Sequence, residues 1–260
     1  MTTLSIRAAL AYDFDAPADC LLQVEAAPGA GQEVLDESLS TTPVEGFVRH
    51  PGEGALGTRA WFAAPAGRLE VTYEGRVRVT RADPGLDDLP ATPARLLPAD
   101  ATPFLMPSRY CPSDQFESVV ATEFAGLAGG ALAEAVRAWA SDNLSYVPGA
   151  SGPQTDAVET FMGRQGVCRD YAHVVIALAR AGGVPARIAS VYAPDVDPPD
   201  FHAVAELWLD GAWRLVDATG MAAPGDIAVI GVGRDAADVS FLTVMGAAAM
   251  VSQSVEVTRA

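Results

Sequence analysis

The sequence predicts an α+β protein whose first hundred residues are all β and whose remainder mixes helices with strands. Three observations carry that expectation. Short, partly alternating apolar runs separated by Pro and Gly turns fill residues 1 to about 100. A stretch rich in Pro, Asp and Ala then runs from Arg81 to Pro103, with the texture of a connection. Beyond it, apolar residues recur first at helical spacing and later in strand-length runs. The expected organisation is an N-terminal β-sandwich domain over 1–100 and a second domain over 101–260.

In the first part, Leu4 to Leu10, Leu21 to Glu25 and Leu69 to Tyr73 read as strands, divided by turn formers such as Pro28-Gly29 and Pro65-Ala66-Gly67. Arg76-Val77-Arg78-Val79-Thr80 alternates cleanly, as a strand with one solvated face does. Strands this short at this spacing favour a β-sandwich. His50, beside Pro51 and Gly52, is expected in a loop.

In the second part, Ala131, Leu132, Ala135, Val136 and Trp139 mark an amphipathic helix. Asp156 and Glu159 have the spacing of a capping box that opens a short helix through Met162. A further helix is expected from near Cys168 to Gly182-Gly183, with Pro185 just beyond as a breaker. Its segment Val174 to Ala179 is apolar all round, which predicts a buried, central helix. Strands follow at Ala186 to Tyr192, Ala203 to Leu209 and Trp213 to Val216. The tail, Gly246 to Val251 and then Val255-Glu256-Val257, is expected to add an edge strand, and its apolar character suits an oligomer contact.

Composition narrows the function classes. The formal charge is −16, from 33 acidic and 17 basic residues, and no basic run offsets it. A nucleic acid would be repelled by that field. The apolar stretches are too short to span a bilayer, and no signal-like segment opens the chain, so the expectation is a cytoplasmic protein with no membrane partner. Cys20, Cys111 and Cys168 are sparse and odd in number, with neither disulfide nor zinc spacing. A buried structural thiol is the ordinary role for each. Only Cys168 has a context that departs from it.

That context is Gly166-Val167-Cys168-Arg169-Asp170, in which a glycine turn feeds a buried helix at the cysteine. Free N–H groups and the helix dipole favour a thiolate there, and the same N–H groups suit an oxyanion. The thiol also needs a base. His173 lies five residues on, about 140° around the helix axis at ~100° per residue, and so points away from Cys168. His202 opens a strand that turns at Asp210-Gly211 into a partner strand carrying Asp217. A two-residue turn pairs Leu209 with Ala212 and Trp208 with Trp213. Val204 then falls opposite Asp217, with His202 on its diagonal, ~7–8 Å away on the same face. A three-residue loop or a bulge would put the two on opposite faces.

At these residues the second half resembles the transglutaminase-like superfamily, specifically its bacterial cysteine peptidases. The matching pieces are Gly166 to Ala172, Gly183-Val184-Pro185-Ala186-Arg187, His202 to Leu207 and Trp213 to Thr219. Phe104 to Tyr110 looks like the segment that joins the β-rich region to the core in such proteins. The resemblance covers about residues 104 to 235. It implies a papain/transglutaminase-like catalytic core in the domain 101–260. It also implies Cys168 as nucleophile, His202 as general base and acid, and Asp217 as the orienting carboxylate. Asp170 and Glu206 are read as structural. Tyr110 and Gln165 are the candidates for a second oxyanion donor, and neither is preferred.

The implied chemistry is attack of Cys168 on an amide carbonyl of a peptide or protein, through a thioester. Neither a cofactor nor a metal is required by it. Water as acceptor makes a hydrolase or peptidase, which is favoured; an amine makes a crosslinking transferase. Arylamine acyltransferases share the triad order but carry an extra glycine beside the cysteine, where this chain has Arg164-Gln165-Gly166-Val167-Cys168. A peptide-binding module that keeps an idle triad is the remaining reading, and it is separated from an enzyme by a turnover assay.

Overall fold

Leu4, Ile6, Ala8 and Leu10 fall on one face of β1 (Thr2–Phe14) and are all buried. This is the period-2 pattern of a strand with one face on a core. The computed structural model describes residues 1–29 and 31–260, and in it β1 is followed by β2 (Ala18–Leu22), β3 (Gln32–Thr41), β4 (Glu45–Pro51), β5 (Thr58–Ala64) and β6 (Gly67–Val79). The two apolar runs expected around 69–80 are one strand, β6, which passes through Gly75. A Cβ on Gly75 would stand 2.8 Å from the hydroxyl of buried Tyr73. His50 lies within β4, paired opposite Arg59, and not in a loop.

From 81 to 105 the chain is irregular but fastened. Gly130 N–H donates to the Leu89 carbonyl at 2.8 Å, and Asp210 N–H to that of Pro90 at 3.1 Å. Leu86 and Leu89 pack on the core of the second half. Next come α1 (Glu117–Glu123), α2 (Gly129–Asn143), β7 (Ser145–Tyr146), α3 (Ala157–Gly163), β8 (Gln165–Gly166) and α4 (Cys168–Ala181). The strands β9 (Ala186–Tyr192), β10 (His202–Leu209), β11 (Ala212–Val216) and β12 (Ala228–Gly233) follow, then α5 (Ala236–Val239), β13 (Leu242–Met245) and β14 (Ala249–Arg259).

Every residue of α4 from Asp170 to Arg180 is buried, as an all-round apolar segment requires. The helix packs on β9 and β10 and on α2 and α3. Each fully buried Val, Ile or Leu here contributes roughly 1.5–3 kcal/mol of transfer free energy. The helix stops at Gly182-Gly183. Gly182 lies against Leu132 of α2, where a Cβ would come within 2.2 Å of the leucine, and Gly183 takes φ +78°. Both features need glycine.

The antiparallel sheet behind α4 has the order β11-β10-β9-β12, so all its strands come from residues 186–233. Asp210 and Gly211 both take positive φ, as a two-residue hairpin turn demands. Leu209 faces Ala212 and Trp208 faces Trp213, the register expected from the turn.

The first strands form two further four-stranded sheets, β14-β1-β6-β3 and β13-β2-β5-β4. Here the boundary expected from the sequence needs correction. It assigns everything from 101 to 260 to the second unit, yet β13 pairs with β2 and β14 with β1. The chain leaves the mixed core after α5 and returns to the β layers. β1 needs a partner on its outer edge, and β14 supplies it while burying Val255. The two halves also share a core. Tyr192, Phe201, Ala228 and Ile230 pack with Leu22, Phe62 and Tyr73. The buried amide of Gln32 exchanges hydrogen bonds with the backbone of Val229, at 2.8 Å each way.

Candidate active site

Cys168 is the first residue of α4 and is partly exposed, whereas Cys20 and Cys111 are buried. The turn before it is built around Asp170. One carboxylate oxygen accepts from Val167 N–H at 2.8 Å and from the Ser151 hydroxyl; the other accepts from the Arg169 guanidinium. Val167 offers no side-chain acceptor, so only the acidic half of a capping box exists here. Gly166 is needed because a Cβ there would stand 2.6 Å from the Asp170 Cβ. The glycine, the cysteine and the aspartate are thus one local device. It holds the helix start and fixes the cysteine at its first turn.

His202, the first residue of β10, lines the same cavity as Cys168, a cleft of about 890 Å3. Its Nε2 lies 3.0 Å from Asp217 Oδ2, and both side chains are buried. Asp217 follows the end of β11. It also accepts from Thr219 N–H at 2.8 Å, from the Thr219 hydroxyl at 2.7 Å and from Ala222 N–H at 2.9 Å. The carboxylate is therefore saturated with donors, and it presents a fixed acceptor to the imidazole. With Nε2 committed, Nδ1 is the ring nitrogen left for Cys168; it is buried and has no other hydrogen-bond partner among the described residues. The structure brings Cys168, His202 and Asp217 together.

Burial disfavours an imidazolium at His202. The bond to Asp217 and the adjacent Cys168 outweigh it and hold the ring up to about 9. A folded-state value above the free one means that the proton stabilises the fold. That contribution is complete below about 6.5 and is lost as pH rises through about 9. For Asp217, burial raises the pKa, but the bonds from His202 and Thr219 prevail and bring it below the ordinary carboxylate value.

His173 takes no part in this pairing. It is buried, stacks on Tyr110 at 5.3 Å and accepts a hydrogen bond from Ala236 N–H at 3.2 Å. Burial, only partly opposed by Asp235 and Asp170, pushes it down to about 4, so it stays neutral. Glu206 pairs with Arg187 directly across the β10–β9 ladder at 2.7 Å, and the guanidinium lies 3.9 Å from the Trp213 ring centroid. These residues of three separate motifs form one cluster, in which Arg187 and Glu206 are buried and Trp213 is half-buried.

Neither expected oxyanion candidate presents its polar group to Cys168. The Tyr110 hydroxyl is donated to the Pro153 carbonyl at 2.7 Å, and Gln165 is exposed. The tyrosine that stands beside Cys168 is Tyr146. Its hydroxyl interacts with both the backbone and the thiol of Cys168, and burial with the cysteine's charge pushes it up to about 12. It is brought there by the two-residue parallel ladder β7–β8, which pairs Tyr146 with Gly166. Two-residue strands leave no periodic signal, and nothing in the sequence analysis singles out Tyr146.

A buried central helix that opens on a cysteine, packed on an antiparallel sheet that carries a His–Asp pair, defines a class of cysteine-based catalytic folds. The sequence model of the transglutaminase-like superfamily matches residues 121–218. A crystal structure of a candidate cysteine protease from Cytophaga hutchinsonii is 31% identical, covers 99% of this chain and 90% of its own, and superposes with a TM-score of 0.90. An uncharacterized Mycobacterium leprae protein is 26% identical over 80% of this chain and 79% of its own length. A second uncharacterized protein, from Mycobacterium tuberculosis, is 27% identical over 78% and 72%. The chain belongs to the transglutaminase-like superfamily, a cysteine-based enzyme family. Among the described residues no helix is long and apolar enough to cross a membrane.

Proposed function

We propose that this chain is a cysteine-nucleophile acyl-transfer enzyme acting on amide bonds of peptides or proteins, and that water is its usual acceptor. The observation that carries the reading is the buried His202–Asp217 pair lining one cleft with a partly exposed cysteine at a helix start. In this reading the Cys168 proton passes to His202 Nδ1, and Asp217 holds the tautomer and stabilises the imidazolium. The thiolate attacks the carbonyl carbon. The oxyanion accepts from Cys168 N–H and the Tyr146 hydroxyl, a pair of donors worth roughly 10²–10³ in rate for each one removed. Collapse breaks the C–N bond, and His202 gives its proton to the departing amine. A thioester on Cys168 remains. His202 then takes a proton from water as the hydroxide equivalent attacks, and the acid leaves with the thiol restored.

The test separates the possible acceptors. The protein is incubated with a peptide library and a labelled amine, and products are read by mass spectrometry for cleavage, deamidation or amine incorporation. The seventeen basic residues are all arginine, so apart from its α-amine the chain offers no amine of its own. Cleavage or deamidation supports the hydrolase. Amine incorporation as the main product overturns hydrolysis in favour of transfer. Absence of any acyl-enzyme on Cys168 overturns the catalytic reading and leaves a binding module.

A further inference from the structure

The cleft over Cys168 has two walls of different origin. Ile188, Phe201 and Val239 come from the mixed core; Phe241, Leu242 and Met250 come from the return of the chain to the β layers. Phe201 and Phe241 stack with centroids 4.7 Å apart and planes 10° from parallel, so the two walls meet in one apolar surface. β13 is an edge strand whose only ladder among the described residues is with β2. Leu242 and Thr243 of that strand line the cavity. A strand edge carries a row of N–H and C=O groups, to which an extended chain adds with its own main chain.

Charge supplies a second, independent observation. Besides His202, which is paired with Asp217, the charged residues lining the cleft are Arg109, Arg169 and Asp200. Arg169 is held by buried Asp170 at 2.9 Å. Asp200 accepts from Phe201 N–H at 2.7 Å and from the Gln253 amide. Arg109 lies over the Tyr110 ring and donates to the neutral Gln154 amide at 3.2 Å; it forms no ion pair among the described residues. Arg109 is thus a cation at this cleft with no acidic partner among the described residues, and Asp200 is an anion whose hydrogen-bond donors are neutral.

We infer that the acyl donor is an extended peptide segment that adds to the free edge of β13, buries a bulky apolar side chain against Phe201 and Phe241, and sets a carboxylate on Arg109. This rests on the acyl-transfer reading above and names its substrate class. The main-chain pairing supplies affinity for any sequence. The aromatic surface discriminates by side-chain size, worth about 10–200-fold in kcat/KM. The exposed arginine adds a smaller factor, roughly 2–5-fold, as solvated ion pairs do.

The experiment measures kcat/KM for short capped peptides, together with acylation of Cys168 by a small thioester that reaches none of these features. At one position Phe in place of Ala raises the rate at least tenfold. At another, Glu exceeds Gln and Lys, and in Arg109→Glu that order reverses toward Lys. A free C-terminal carboxylate in an otherwise neutral peptide tests whether the terminus supplies the anion in place of a side chain; a gain in either arm supports the carboxylate site. N-methylation of alternate peptide nitrogens lowers the rate where they face β13. If the small thioester acylates Cys168 while the peptide series is flat in size, charge and N-methylation, this inference is overturned and the acyl-transfer reading stands. If the thioester fails to acylate Cys168, both fall.

Discussion

Replacing Asp217 by Asn tests the coupling of the candidate triad, because the change keeps volume and removes charge. Four donor groups surround the carboxylate: the His202 ring, Thr219 N–H, the Thr219 hydroxyl and Ala222 N–H. An amide NH2 must oppose at least one of the fixed N–H donors wherever it points. If the amide oxygen keeps His202 and Ala222, the NH2 faces Thr219 N–H, at a cost of about 1–3 kcal/mol in stability. If it turns the other way, His202 is driven to the tautomer that protonates Nδ1, and the base is lost. The imidazolium also loses its counter-charge. His202 stands at about 9 against 6.5 when free, so about 3 kcal/mol favours its charged form. The bond to Asp217 is the first of the favourable causes. Loss of most of that free energy alone slows proton transfer by roughly 10²-fold, and the wrong tautomer brings the total toward 10³–10⁴. The assay is kcat/KM on a peptide amide, beside a thermal melt that shows a shift of roughly 2–4 °C per kcal/mol. A folded Asp217→Asn protein within tenfold of wild-type activity would refute the reasoning.

Three further outcomes follow from the same geometry. His173 is neutral in the fold and held down at about 4, so stability is complete above about 6.5 and falls by about 3 kcal/mol as pH drops to 4; urea unfolding across that window should slope for wild type and flatten for His173→Phe. A mild alkylating agent should label Cys168 before Cys20 and Cys111, because burial pushes both of those thiols up and hides them; peptide mapping that finds label first on either, with activity intact, removes Cys168 from the chemistry. Gly166→Ala should displace the Asp170 carboxylate from Val167 N–H, lowering stability by about 1–3 kcal/mol and activity with it, whereas a melt unchanged from wild type would show that the turn tolerates a Cβ.

Much of this protein was legible in the order of its residues, and the reason is that the informative interactions were local. The helix α4 is bounded by Gly166-Val167 and Gly182-Gly183, signals that act within a turn of their own position. The Asp210-Gly211 turn sets a register by covalent connection, and that register carries His202 to Asp217 across one hairpin. What the tertiary structure alone decided is set by groups distant in the chain. β14 closes the outer edge of β1 some two hundred and forty residues away, because an unpaired strand edge takes whichever strand reaches it. Tyr146 arrives beside Cys168 through a ladder of two residue pairs, too short for any periodicity to announce. Arg187 and Glu206 belong to different motifs, and only the β9–β10 register shows that each is there to neutralise the other in a buried site. Local propensity and turn geometry are written in neighbouring residues. Sheet membership and burial are free energies of the whole chain, and they appear only when distant segments meet.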